Sequence, residues 1–160
     1  MRILGIDQGL ANTGLVILDN SKGTRVIYKE IFKTSSKDKT EKRIEKIYNH
    51  IDKIIKSYHI DIVATEKLYG YSKFTVKKML IVNMITGIIN LLVSQNDIGI
   101  IEIPPKTIKK YITGNGNANK EEVQEEIEKQ LGVVFTADHD SDAASIALTA
   151  RHLIEEENVA

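Results

Sequence analysis

Cysteine is missing from all 160 residues, which removes disulfides, thiolate zinc sites and a cysteine nucleophile from consideration together. A reducing, cytoplasmic setting fits that absence. The N-terminus has one arginine and then Asp7, with no basic region leading into a long apolar stretch, so no signal peptide is expected. Apolar runs read as interrupted short of the ~20 residues a membrane span requires, and the expectation is a soluble protein with no membrane association. No repeat, low-complexity tract or linker stands out. Formal net charge is also lacking, at +0, which argues against a generic nucleic-acid coat.

What is present is an ordinary globular composition, 42% hydrophobic and 28% charged, enough for one core and a single domain over residues 1–160. The charge is unevenly spread. Residues 1–120 hold 20 of the 22 Lys and Arg but 11 of the 22 Asp and Glu. One part of the surface is thus suited to a polyanion, although any single charge run is also an ordinary solvated helix face.

Ile3 to Ile6 reads as a strand buried on both faces, Thr13 to Leu18 as a second, and Arg25 to Phe32 as a third after the turn residues Asp19 to Gly23. From Thr40 to Tyr58 the apolar positions Ile44, Ile47, Ile51, Ile54 and Ile55 recur at helical spacing. Asp61 to Glu66 predicts a fourth strand, Thr75 to Ser94 a long helix, and Gly99 to Ile103 a fifth strand stopped by Pro104-Pro105. A brief helix follows near Lys106 to Tyr111. Asn119 and Glu122 form a variant capping box for a helix that Gly132 ends. A last helix spans Asp138 to Glu156, with Ala143, Ala144, Ala147 and Ala150 allowing close approach to a sheet. The pattern implies an α/β fold: a mixed five-stranded sheet, three strands antiparallel and then two parallel, flanked by helices.

Asp7 ends the first strand, Glu66 the fourth, and His139 and Asp142 share a face early in the last helix. If strands one and four are parallel neighbours, Asp7 and Glu66 emerge about 5 Å apart in the pairing direction. Clustered carboxylates oppose joint ionisation and so call for a cation, and hard oxygen donors favour Mg²⁺ or Mn²⁺, with His139 shifting the preference toward Mn²⁺. Each residue alone has a plainer role as turn former, rim carboxylate, helix-start acid or surface histidine.

At this point four segments, "GIDQGLANTG", "TEKLY", "TGNGNANKEEVQ" and "HDSDAASIALTARH", resemble in order and spacing the signatures of the RuvC Holliday-junction resolvases, which have a ribonuclease H-like nuclease fold. The resemblance implies that Asp7, Glu66, His139 and Asp142 are the metal-binding and catalytic positions, with two Mg²⁺ per site and Mn²⁺ as substitute. Asp138 and Asp140 stay candidates for an outer ligand. Paired divalent ions in such a site activate a water, polarise the scissile phosphate and stabilise the departing 3′ oxygen. His139 is left open between ligand and proton-transfer group. The chain departs from the family at Gln8, where proline is common, and at Leu15, where an aromatic residue is common.

Two basic sets are candidate DNA contacts. "KLYGYSKFTVKK" interleaves Tyr69, Tyr71 and Phe74 with Lys67, Lys73, Lys77 and Lys78, lysines for phosphates and rings for exposed bases; Phe74 reads equally as core. By resemblance Tyr69 contacts the junction near the cut. Lys106, Lys109, Lys110 and Lys120 surround the Gly114-x-Gly116 loop, which is not a Walker loop. The long helix carries more apolar residues than one sheet contact uses, fitting either full burial or the homodimer that the resemblance implies.

The expected function is a structure-selective endodeoxyribonuclease that resolves four-way junctions by paired symmetric nicks, with a branch-migration motor as a possible partner. The rivals are a nuclease of the same fold acting on branched DNA generally or on RNA, a non-catalytic junction-binding module, and an Asp-x-Gly ATPase, for which 160 residues leave little room.

Overall fold

The structure, a computed structural model, describes residues 1–67 and 76–159, with the backbone alone at 77, 78, 158 and 159. Three strands come first, β1 (Arg2–Asp7), β2 (Asn12–Asp19) and β3 (Arg25–Lys33), followed by helix α1 (Thr40–Tyr58). β4 (Ile62–Glu66), α2 (Val76–Asn96) and β5 (Gly99–Ile103) alternate, and α3 (Pro105–Thr113), α4 (Lys120–Leu131) and α5 (Asp138–Val159) complete the chain. The sheet order is β3-β2-β1-β4-β5. β1 pairs antiparallel with β2 and parallel with β4, and β5 extends the sheet in parallel beyond β4. The three-then-two pattern read from the sequence is the one that forms.

Burial on both faces explains the unbroken apolar character of the central strands. On one face, Leu4, Ile6, Leu15, Ile17 and Val63 meet α1 and α2 through Ile47, Ile51, Ile85, Ile89 and Leu92. On the other, Ile3, Val16, Ala64 and Ile103 meet α3 to α5 through Ile108, Ile127, Phe135, Ala144 and Ala147. The isoleucine stripe of α1 is the buried one. That helix ends where His59 takes a left-handed conformation, φ 50°.

Within α2, Met79–Asn96 is long and apolar enough to cross a membrane by length and composition alone, although Asn83, Thr86 and Asn90 interrupt it. In the fold, its Ile85, Ile89 and Leu92 side seals the α1/α2 face of the sheet, while Val76, Leu80, Met84 and Leu91 face outward.

α5 lies unusually close to the sheet. A Cβ on Gly5 would sit 2.1 Å from the Ala143 carbonyl oxygen and 2.8 Å from the Ala147 Cβ. One on Gly14 would sit 2.0 Å from the His139 carbonyl oxygen. Small residues on both partners thus set the distance at which the start of α5 hangs over the ends of β1 and β2.

Candidate active site

The parallel β1/β4 register runs through Ile6 opposite Thr65, and Asp7 and Glu66 are the next residue on each strand. Both belong to the side-chain set that faces α5, since alternation puts Ile6 and Val63 on the other face. The first turn of α5 closes the group from above. His139 Nδ1 lies 2.6 Å from Asp7 Oδ2, across 132 positions of sequence, and Asp142 lies one turn further along.

Glu66 and Asp142 line one cavity of about 210 Å³, together with Lys109, Lys120 and an apolar floor that includes Ile108 and Ile146. Burial first, then the charges of Asp7 and Asp142, push the Glu66 carboxyl up to about 7 against the opposing pull of Lys109 and Lys120. Burial and Asp7 likewise push Asp142 up to about 6. Three carboxylates and one imidazole therefore meet as the sequence reading expected, at an electrostatic cost.

A cation would relieve that cost, and the residue types, rather than their present geometry, are what fit a divalent ion. Two half-buried acids held above their ordinary range by burial and by each other gain most from a nearby positive charge, and the donor set of carboxylate oxygens with one imidazole suits a hard cation. Among the described residues, no three His, Asp or Glu side chains are arranged to hold a metal ion: Asp7 is engaged by His139, and Lys120 Nζ stands 3.8 Å from Asp142 and 2.9 Å from Asp138.

The neighbouring acids divide cleanly. Asp138 is exposed and paired with Lys120, which lowers its pKa. Asp140 is only 4% exposed, and its carboxylate accepts from the backbone N–H groups of Ala137 at 3.2 Å and Ser141 at 3.0 Å. Its carboxylate is thereby committed to the backbone at the start of α5. This role differs from that of the outer ligand for which Asp140 was a candidate. A signal existed in its spacing, because an acid two residues before Asp142 faces a different side of a helix.

Of the basic candidates, Lys120 reaches the cluster directly and Lys109 borders it. Lys109 Nζ donates 2.6 Å to the Ala118 carbonyl, stapling α3 to the loop that leads into α4. The capping box predicted at Asn119 and Glu122 is formed on both sides, fixing Lys120 as the first residue of α4. Lys106 and Lys110 stand on another side of α3, around an open cavity of about 730 Å³ that also touches Gly116 and Asn117. They are not brought to the carboxylates. Tyr69 and Lys73, with Tyr71 and Phe74, lie outside the described residues, as do the side chains of Lys77 and Lys78 in the first turn of α2.

Comparison with known proteins agrees with the geometry. The profile of the crossover junction endodeoxyribonuclease RuvC family matches residues 3–150. The chain belongs to the RuvC family. It is 36% identical to crossover junction endodeoxyribonuclease RuvC of Ehrlichia chaffeensis over 92% of this chain and 94% of that protein, and 34% identical to RuvC of Fusobacterium nucleatum over 96% and 80%. The fold is that of Thermus thermophilus RuvC in complex with a Holliday junction substrate, with TM-score 0.89 and 24% identity over 98% of this chain and 96% of that one. RuvC nucleases depend on divalent metal ions.

Proposed function

We propose that this RuvC-family endonuclease resolves four-way DNA junctions by paired nicks, using Asp7, Glu66, His139 and Asp142 as its catalytic centre. The observation that carries the assignment of residues is the convergence of those four side chains, from β1, β4 and α5, on one half-buried spot at the C-terminal ends of two interior strands. Asp7, Glu66 and Asp142 hold two Mg²⁺ in this reading, with Mn²⁺ able to substitute. When bound, the ions supply an activated water and charge stabilisation at the scissile phosphate.

The chain's own groups do the rest. His139, its Nδ1 turned to Asp7, has Nε2 to offer to an ion or to the proton of the attacking water. Lys120, at the rim beside Asp142, meets the phosphate backbone on either side of the cut, while Lys109 holds the 114–119 loop that carries it. Lys106 and Lys110 guide the duplex arm beyond. Tyr69, Lys73, Lys77 and Lys78 complete the contact by resemblance. One nuclease domain over residues 1–160 and a cytoplasmic location beside the DNA belong to the same reading.

A second copy is part of the proposal, because two cuts in a symmetric junction need two sites. Outward-facing Val76, Leu80, Met84 and Leu91, exposed by 73, 60, 44 and 50%, run along α2 with Gly87, whose missing Cβ would meet nothing. Spacings of three and four suit a helix laid against a helix. A branch-migration motor would act on the same junction.

The test is incubation of the purified protein with a labelled synthetic four-way junction, with and without Mg²⁺, mapping nicks on all four arms. Metal-dependent nicks at symmetric positions on two opposed strands are expected. Equal cleavage of three-way, flap or RNA duplex substrates would overturn junction selectivity.

A further inference from the structure

We infer that Gln8 is a positioning residue for Asp7, holding the strand-end carboxylate in register through a hydrogen bond to Thr86 on α2. This rests on the reading that Asp7 belongs to the catalytic centre. Gln8 follows Asp7 directly, yet the residue is only 8% exposed and its side chain reaches α2. Gln8 Nε2 donates to Thr86 Oγ1 at 2.9 Å. The Thr86 hydroxyl in turn donates to the Val82 carbonyl at 3.0 Å, so its single proton is committed to the helix and its lone pairs receive the amide. The direction of the bond is thereby set.

The residues after Gln8 are already immobilised. Thr13 Oγ1 donates 2.7 Å to the Gly9 carbonyl, the Thr34 N–H donates 3.0 Å to the Ala11 carbonyl, and a Cβ on Gly9 would lie 2.2 Å from the Asn12 carbonyl oxygen. Before it, β1 is held in its ladder as far as Asp7 opposite Gly14. Gln8 is the link between these fixed pieces, and nothing in a glutamine backbone restricts rotation as a proline ring does. The side-chain bond to α2 supplies the missing restraint. Without that bond the turn at Gln8 is free to fray back into the last ladder pair, Asp7 opposite Gly14, and so to let the Asp7 carboxylate drift from His139, with which it now makes a 2.6 Å contact.

The test uses the full chain with Gln8→Met and Thr86→Val, each nearly isosteric and each removing one side of the bond, their double variant, and Thr86→Ser, which keeps the hydroxyl. Single-turnover cleavage of the labelled junction at saturating protein and Mg²⁺ is measured beside junction Kd without metal, and beside Tm to confirm that each variant is folded at the assay temperature. Expected are cleavage rates roughly ten- to hundredfold lower for both single variants at unchanged Kd, a double variant no slower than the slower single, and near-normal rates for Thr86→Ser. Normal rates in Gln8→Met, losses that multiply in the double variant, or a Kd that worsens in step with the rate would each overturn the inference. Asp7→Asn is run alongside. If it is inactive while Gln8→Met is normal, the inference fails and the site stands; if it cleaves normally, the site assignment itself fails.

Discussion

Glu66→Gln should make the metal-free protein more stable while destroying its use for a metal ion. The Glu66 carboxyl is carried from an ordinary 4.5 to about 7 by burial and by the charges of Asp7 and Asp142. At 1.36 kcal/mol per pH unit that is about 3 kcal/mol, but Glu66 keeps some contact with solvent and shares its repulsion with two neighbours, so about 1–2 kcal/mol is what one neutral replacement recovers. In a domain of this size each kcal/mol moves Tm by roughly 2–4 °C, giving a gain of roughly 2–8 °C. The sign in pH follows from proton binding. Between about pH 4.5 and 7 the folded state holds a proton at Glu66 that the unfolded chain has released, so wild-type stability falls as pH rises through that window. The variant lacks that loss. The assay is thermal unfolding in EDTA across pH 4 to 8, repeated with Mn²⁺. The gap should be absent at low pH, open through the window and stay level above it, and Mn²⁺ should raise Tm in the wild type far more than in the variant. A Glu66→Gln protein less stable than wild type at pH 8 in EDTA, or a gap independent of pH, would refute the electrostatic reasoning.

Asp7→Asn should bind a four-way junction with wild-type affinity and fail to nick it with Mg²⁺; gel retardation and cleavage on the same preparation check both. Gly14→Ala would drive a methyl against the His139 carbonyl, so a loss of about 1–3 kcal/mol in denaturant unfolding is expected together with slower cleavage, because His139 is displaced from Asp7. Leu80→Glu with Met84→Glu should break the proposed α2 dimer into a folded monomer, read by light scattering with unchanged circular dichroism; a wild type that scatters as a monomer would overturn the proposed pairing.

Much of this protein was legible in its order of residues. Periodicity named the elements because a strand buried on both faces and an amphipathic helix differ in spacing, and the α1 isoleucines could only face a core. Strand-end positions of Asp7 and Glu66, and the shared face of His139 and Asp142, follow from regular geometry along single elements. The capping box at Asn119 and Glu122 was equally local, four residues carrying both hydrogen bonds.

What only the tertiary structure decided are relations between elements. That Asp7 meets His139 depends on how closely α5 can lie on β1 and β2, which the glycines at 5 and 14 allow but no periodicity reveals. Spacing sets Asp140 on a different side of the helix from Asp142, but only packing assigns partners: it sends Asp138 to Lys120, buries Asp140 against backbone amides and turns Asp142 to the cavity it shares with Glu66. Lys109 reads as a free cation until the fold gives it the Ala118 carbonyl. Local pattern sets which residues lie on a face, because that depends on dihedral repeats within a segment; which faces meet, and how close, is set by side-chain volumes contributed from distant parts of the chain at once.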